Sequence, residues 1–450
     1  MKYLRVIIFY FIFTFSCIFG YSPNIKKLPP INNARNLDKK IWELSKPATL
    51  NYVMVPIVGM VDTLWVTKLG NSKDLAGVGC GDQIFSIFFC LISFLPVILT
   101  PEIARLHTEE KKNEIANLIS VSLCLSVISG ILVSGLLFLN IDLITSIFSS
   151  KSNEVFGKTV LYLKYRTPAL SFCIINSIIF SVFRGLMDFK QALTINIVSQ
   201  IINVILDPIF MIKYGISGVA SASLISDVVC TIGYIKLLIK NKLITYKVNN
   251  FFKISKNYLN LGLFIQMKYI LVNIIYLLIN KRLLQLDNTG TELAAYIILS
   301  KFISLTMIIY SGLSSVASIV IPSEKIYNND HLAIKQILFY GHIVCLLQSL
   351  LFFNLKYFLK YLSNDVSVIC LAKKLIIPAT IYQYINGYQY VMEGILQGYQ
   401  KFKLSSKLNI LTNLPLLFIL WKIDRQDYFW YIGSLLYYIK ILFIKKNLKV

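Results

Sequence analysis

Charge is scarce in this chain. Asp, Glu, Lys and Arg together make up 15% of its 450 residues, where an ordinary globular chain carries about a quarter. Histidine is scarcer still: His107, His331 and His342 are too few and too dispersed for a metal cluster, so no metal site is expected. None of the 8 cysteines stands at CxxC spacing and all lie in apolar stretches. That excludes a zinc or disulfide framework and leaves them as small hydrophobes. There is no DDxxD-like run, so a polytopic membrane enzyme is only a remote alternative and no catalytic residue is assigned. The loops lack interleaved aromatic and basic residues. The formal net charge of +23 therefore reads as loop lysines flanking membrane spans, with no nucleic-acid partner.

What the chain has instead is apolar length. Hydrophobic residues make up 56% of it, more than a soluble domain can bury, and the class is a polytopic membrane protein. MKYLR followed by VIIFYFIFTFSCIFG reads as a signal peptide over residues 1–20, with an N-terminal anchor as the alternative. Residues 21–40 are basic, rich in Asn and Pro, and nearly free of acids. They read as a leader or transit-like segment. Such a two-part leader fits an apicoplast or other plastid membrane; a short solvated tail of a plasma-membrane or endomembrane protein explains the same residues.

From residue 41 the apolar runs come in series: 44–67, 75–99, 117–140, 158–183, 192–213, 216–238, 258–286, 291–320, 336–359, 366–396, 405–422 and 428–446. These are twelve segments of spanning length. The widest polar break, 241–257, separates an N-lobe (41–240, helices 1–6) from a C-lobe (258–450, helices 7–12). Lys and Arg favour the loops after even-numbered spans, which places both termini on the inner side.

The halves echo each other. KDLAGVGCGDQIFSIF from Lys73 matches TELAAYIILSKFISLT from Thr291, each starting a helix with Leu-Ala. PALSFCIINSIIFSVFRGLMDFKQAL from Pro168 matches PATIYQYINGYQYVMEGILQGYQKFKL from Pro378, with Pro-Ala as the opening of each helix. Repeats with an even number of helices run parallel and share an axis along the membrane normal, an arrangement that places a binding cavity between or within the halves.

Acids inside the spans carry the functional signal. An ionisable group at bilayer depth costs a few kcal/mol, about 2.5–3.5 on insertion scales, so it faces a bundle interior and has a partner. Asp62 lies in VGMVDTLWV and Asp207 in SQIINVILDPIF. Asn203 precedes Asp207 by four residues and shares its helix face. Ser221 and Ser223 are candidates to add hydroxyls. Aligned on the Leu-Ala starts, Asp62 corresponds to Asn280 and Asp207 to the neighbourhood of Asn413, Leu414 and Pro415. The acids thus occur in one half only, which favours a single ion site in the N-lobe. Asp82 and Asp227 read as helix-end acids in preference to cavity-lining ones. Glu393 either contacts substrate or ends helix 10. Pro47 in KPATLN reads by itself as a helix-start proline.

PATLNYVMVPIVGMVDTLWVTKLGNSKDLAGVG, VFRGLMDFKQAL and NVILDPIFMIKYGISGVASASLIS resemble signatures of the MATE (multidrug and toxic compound extrusion) family, and MEGILQGYQKF is similar to its DinF-like branch. The resemblance covers about residues 41–430. It implies an all-α fold of about twelve transmembrane helices in two six-helix lobes (the MATE or MOP flippase-like fold). It also implies a secondary transporter that exports organic solutes or drugs in antiport with protons or sodium, with no cofactor beyond the coupling ion. Asp62, Asn203 and Asp207 fall on the acid of helix 1 and the Asn and Asp of helix 5 in that pattern, and Pro47 on its bending proline. Where relatives carry a second Asn in helix 4, the spacing points to Phe180, with Asn176 one turn away. A lipid or lipid-linked precursor flippase of the same superfold is the alternative; Arg166, Arg184 and Arg282 near helix ends argue against its charged cavity. The expected partners are the lipid bilayer and a small organic substrate, for a monomer.

Overall fold

The computed structural model describes residues 34–148, 154–245, 248–287, 291–361, 365–419, 422 and 425–448. The signal-peptide reading of 1–20 and most of the leader 21–40 lie outside the described residues. The helices are α1 (Ala34–Leu69), α2 (Ser72–Cys90), α3 (Phe94–Thr108), α4 (Lys112–Leu139), α5 (Ile141–Phe148), α6 (Glu154–Arg166), α7 (Ala169–Gly185), α8 (Phe189–Tyr214), α9 (Ile216–Lys240), α10 (Phe251–Leu286), α11 (Thr291–Ile326), α12 (Asp330–Phe353), α13 (Val366–Gly398), α14 (Phe402–Ile419) and α15 (Asp427–Leu448). Among the described residues, eight helices are long and apolar enough to cross a membrane, or ten if each of two bent pairs counts as one span. The pairs are α2 with α3, bent by 46°, and α6 with α7, bent by 52°. Joining them and setting aside the short α5 leaves twelve membrane-scale segments, as the apolar runs imply. α14 and α15 are the two that do not pass as apolar spans; each carries lysines, and Lys440 of α15 is fully buried.

The surface is that of a membrane protein. On α4, Leu132 is 65% exposed and Leu139 82% exposed, and similar apolar rows run along α8, α10 and α12. Facing lipid, such rows incur no hydration penalty. In water the same area would drive association.

By contacts the chain forms two units, residues 53–263 and residues 1–52 with 264–450. The first half of α1 therefore packs with the second unit. α1 begins at Ala34, inside the stretch 21–40 read as leader, and Leu37, Lys40, Ile41 and Leu44 are buried. Lys40 donates to Glu324 Oε1 (2.8 Å) and Ser323 Oγ (3.2 Å) on α11. Pro47 lies well inside α1, which excludes the helix-start reading. Pro47 and Pro56 each lack an N–H, which leaves the carbonyls of Glu43 and Tyr52 without their helical donors. α10 likewise begins at Phe251, inside the predicted connector 241–257.

Within residues 53–263, α8 and α9 pack along one another through the single residue Gly215, whose φ of +63° only glycine adopts freely. At the α6–α7 break, Pro168 interrupts the helix and Ser134 Oγ of α4 donates to the Thr167 carbonyl at 3.0 Å. The second-half counterpart behaves differently. Pro378 does not open a helix but lies inside an uninterrupted α13: apolar Leu375, Ile376 and Ile377 directly precede it, where Arg166 and Thr167 precede Pro168.

In the second unit the main seam joins α11 to α13. Gly394 and Gly398 of α13 form a small-xxx-small pair that lets two backbones approach closely. A Cβ at Gly394 would stand 2.3 Å from the Ser314 carbonyl oxygen of α11, whereas one at Gly59 meets nothing within 4 Å. Gly394→Ala is expected to lower the detergent-solubilised melting temperature by several degrees, while Gly59→Ala leaves it unchanged or raises it slightly. Equal melting of the two variants would refute a close α11–α13 seam.

Candidate functional site

α8 is polar on its inner face and apolar on its outer one. Ser199, Asn203, Asp207 and Met211 recur every four residues and are all buried, while Ile201, Ile205, Ile209 and Ile212 face out. The inner stripe meets α9: Ser199 Oγ donates to the Ser226 carbonyl at 2.7 Å, and Asn203 Nδ2 lies 3.3 Å from Ser223 Oγ. Asn203 Nδ2 also stands 3.4 Å from Asp207 Oδ1, which fixes the amide so that it donates to the acid. Pro208 follows and removes the N–H that would bond the Val204 carbonyl. Asp62 comes from α1, and its carboxyl lies within hydrogen-bonding reach of Asp207.

The structure therefore brings Asp62, Asn203 and Asp207 together, with Ser223 as a fourth member. Ser221 stays out, donating to the Ser217 carbonyl of its own helix at 2.8 Å. Two oxygens of the cluster, Asp62 Oδ1 and Asp207 Oδ2, are buried without a hydrogen-bond donor. Two carboxyls with orphaned oxygens gather more acceptors than donors at this point, chemistry that a proton or another small cation can meet.

A second network surrounds Arg166, the last residue of α6 at the bend. Its Nη1 donates to Asp227 Oδ2 at 3.0 Å, and its guanidinium lies 4.4 Å from the centre of the Phe85 ring. Cys173 Sγ is 3.1 Å from the same carboxylate oxygen. Tyr162 Oη donates to Asp82 Oδ1 at 2.7 Å. The helix-end readings of Asp82 and Asp227 are corrected here: both stand mid-helix, in α2 and α9, and each has a side-chain partner. Arg166 ends a helix in sequence, but α7 continues the same bent span, so the end is internal. Asn176 bonds to α9, donating to the Asp227 carbonyl (3.0 Å) and accepting from Thr231 (2.7 Å), and takes no part in the acid cluster. Phe180 packs edge-on against Phe189.

Besides the Lys40–Glu324 pair, the other unit holds a compact charged group among the described residues. Glu393 is buried in α13 five residues before its end and binds two ammonium groups, Lys268 of α10 and Lys440 of α15. Asn409 Nδ2 of α14 donates to Glu393 Oε1 at 2.7 Å, and Lys440 also donates to Asn409 Oδ1 at 2.8 Å. Neither earlier reading of Glu393 covers this: it is the hub of a buried ion cluster. Asn280, the repeat counterpart of Asp62, has its Oδ1 buried with no donor. Asn413 Nδ2 donates to the Asn409 carbonyl at 2.8 Å.

The class this defines is an all-helical, multi-pass integral membrane protein with charged side chains sunk inside each of two contact units. The MatE family profile matches residues 47–209 and 265–420. The chain belongs to the MatE family. It is 25% identical over 192 residues to the DNA damage-inducible protein F of Escherichia coli, a match covering 42% of each chain. It is 26% identical over 204 residues to the chloroplastic Protein DETOXIFICATION 44 of Arabidopsis thaliana, covering 42% of this chain and 38% of that one. These alignments thus span about two fifths of the curated relatives. The fold is similar to that of the Vibrio cholerae MATE transporter VcmN in its bent form, with a TM-score of 0.84 at 16% identity, covering 92% of this chain and 98% of that one.

Removing one partner of a buried pair strands the other charge, at about 3–5 kcal/mol. Arg166→Met and Asp227→Leu are each expected to destabilise the protein strongly. The double variant should recover most of the loss, and a thermal-melt double-mutant cycle measures this. Strictly additive losses would show that the pair is not coupled.

Proposed function

We propose that the chain is a secondary active transporter that exports organic solutes in exchange for protons or sodium by alternating access. The observation that carries this reading is the acid pair Asp62–Asp207, with two buried oxygens that lack a donor. Two carboxyls in such an enclosure are stable with a cation between them: a proton, or a sodium ion bound also by the Asn203 side chain and neighbouring hydroxyl oxygen. Loading and releasing that cation gives the protein two states of different internal charge. Pro47 and Pro56 weaken the hydrogen-bond ladder of the helix that carries Asp62. That is the place for a bend coupled to loading. Family membership supports the transport reading, and the absence of matching acids at Asn280 and Asn413 supports a single ion site. The chloroplastic relative and the basic leader support a plastid membrane as its location.

The second reading is a flippase for a lipid or lipid-linked precursor. Arg166 favours it, because this arginine stands at a break inside a span and not at a membrane surface.

Reconstitution into proteoliposomes tests both. Uptake of a cationic and an anionic dye is followed under an imposed proton or sodium gradient. The wild type is expected to accumulate dye under one of the two gradients. Asp62→Asn and Asp207→Asn should each reduce gradient-driven uptake at least tenfold while leaving the melting temperature within a few degrees. Full coupled transport by both variants would remove the ion site. Movement of labelled lipid without dye transport would select the flippase.

A further inference from the structure

The cluster of Lys268, Glu393 and Lys440 carries two ammonium groups against one carboxylate. Among the described residues, Glu393 is the sole acid bonded to either lysine, so the group has a formal charge of +1. A buried net charge at this depth is costly unless something neutralises it. The two lysines are not equivalent. Lys440 is wholly buried and divides its donors between Glu393 and Asn409. Lys268 keeps 13% of its side chain accessible and gives one bond, to Glu393 Oε2. An ammonium group has three donors, so two of those of Lys268 are not used within the group. Rings flank both: Tyr269 with its centre 5.5 Å from Lys268 Nζ, and Tyr437 with its centre 6.0 Å from Lys440 Nζ.

We propose that Lys268 is the docking point for an anionic oxyacid group, a carboxylate or phosphate, on an organic solute, with the ring of Tyr269 meeting the solute's apolar body. This rests on the transport reading and narrows its substrate class to organic anions. Glu393 holds Lys268 in place, and Lys440 and Asn409 hold Glu393 from the buried side. A bound anion brings the charge of the group to zero. The same group without Lys268 is a balanced one-to-one pair, so its loss removes the anion site without stranding a charge.

The experiment is equilibrium binding of radiolabelled 1-naphthoate to the full chain in phosphatidylcholine nanodiscs, with no ion gradient. 1-Naphthamide and naphthyltrimethylammonium serve as neutral and cationic competitors. The wild type is expected to bind naphthoate at least tenfold more tightly than either competitor. Lys268→Met should fold normally by thermal melt and bind naphthoate at least tenfold more weakly, and Lys268→Arg should restore most of the binding. Phosphatidylglycerol added to the nanodisc distinguishes the two sources of an oxyacid. Strong competition assigns the site to a lipid headgroup, and weak competition to a soluble solute. The binding measurement uses no gradient, so it reads the anion site apart from ion coupling, whose failure shows only in gradient-driven transport. No detectable naphthoate binding, unchanged binding in Lys268→Met, or preference for the cationic probe would each overturn the proposal.

Discussion

A polar group cannot be left alone in hydrocarbon, and nearly every local choice in this protein follows from that constraint. Hydroxyls inside the helices turn back onto carbonyls three or four residues earlier, as Ser221, Thr306 and Thr412 do. Prolines and breaks free carbonyls, and a neighbouring hydroxyl takes the one at Thr167. Whole helices follow the same rule: α8 keeps Ser199, Asn203 and Asp207 inside and its isoleucines outside, the inverse of a helix in a water-soluble bundle.

The two units satisfy the constraint in opposite ways. In residues 53–263 two carboxyl groups meet, Asp62 with Asp207, and two of their oxygens lack a donor. In the other unit unlike charges meet, and Glu393 is saturated by two lysines and an amide. The surplus there is a donor, not an acceptor. The acid pair of one unit thus leaves acceptors unmet, and the Glu393 group of the other leaves ammonium donors unused.

Much of this was legible in the chain. The twelve apolar runs, the helix starts before Leu75 and Leu293, and the i, i+4 pairing of Asn203 with Asp207 depend on local spacing, and local spacing is visible in one dimension. Packing across the fold is not. Asp227 reads as a helix-end acid until Arg166 is brought to it across 61 residues. Arg166 itself reads as peripheral because nothing local tells a helix that ends at a surface from one that bends inside a span. Lys268 in LFIQMKYILVN and Lys440 in YYIKILFI were as conspicuous as the acids, each a charge in an apolar run. In one dimension a lysine that snorkels to the interface looks the same as one paired inside the bundle. The early start of α1 escaped because Asn, Arg and Lys before residue 41 read as solvated leader, while Lys40 is drawn inward by Glu324.

The formal charge of the Lys268–Glu393–Lys440 group has an electrical consequence. A charge moved across a membrane potential does work of about 2.3 kcal/mol per 100 mV. If this group passes from facing one compartment to facing the other, the empty site carries one positive charge through the field. The site holding a monovalent anion carries none. Voltage would then act on that group differently with and without its anion, a sensitivity separate from any ion gradient.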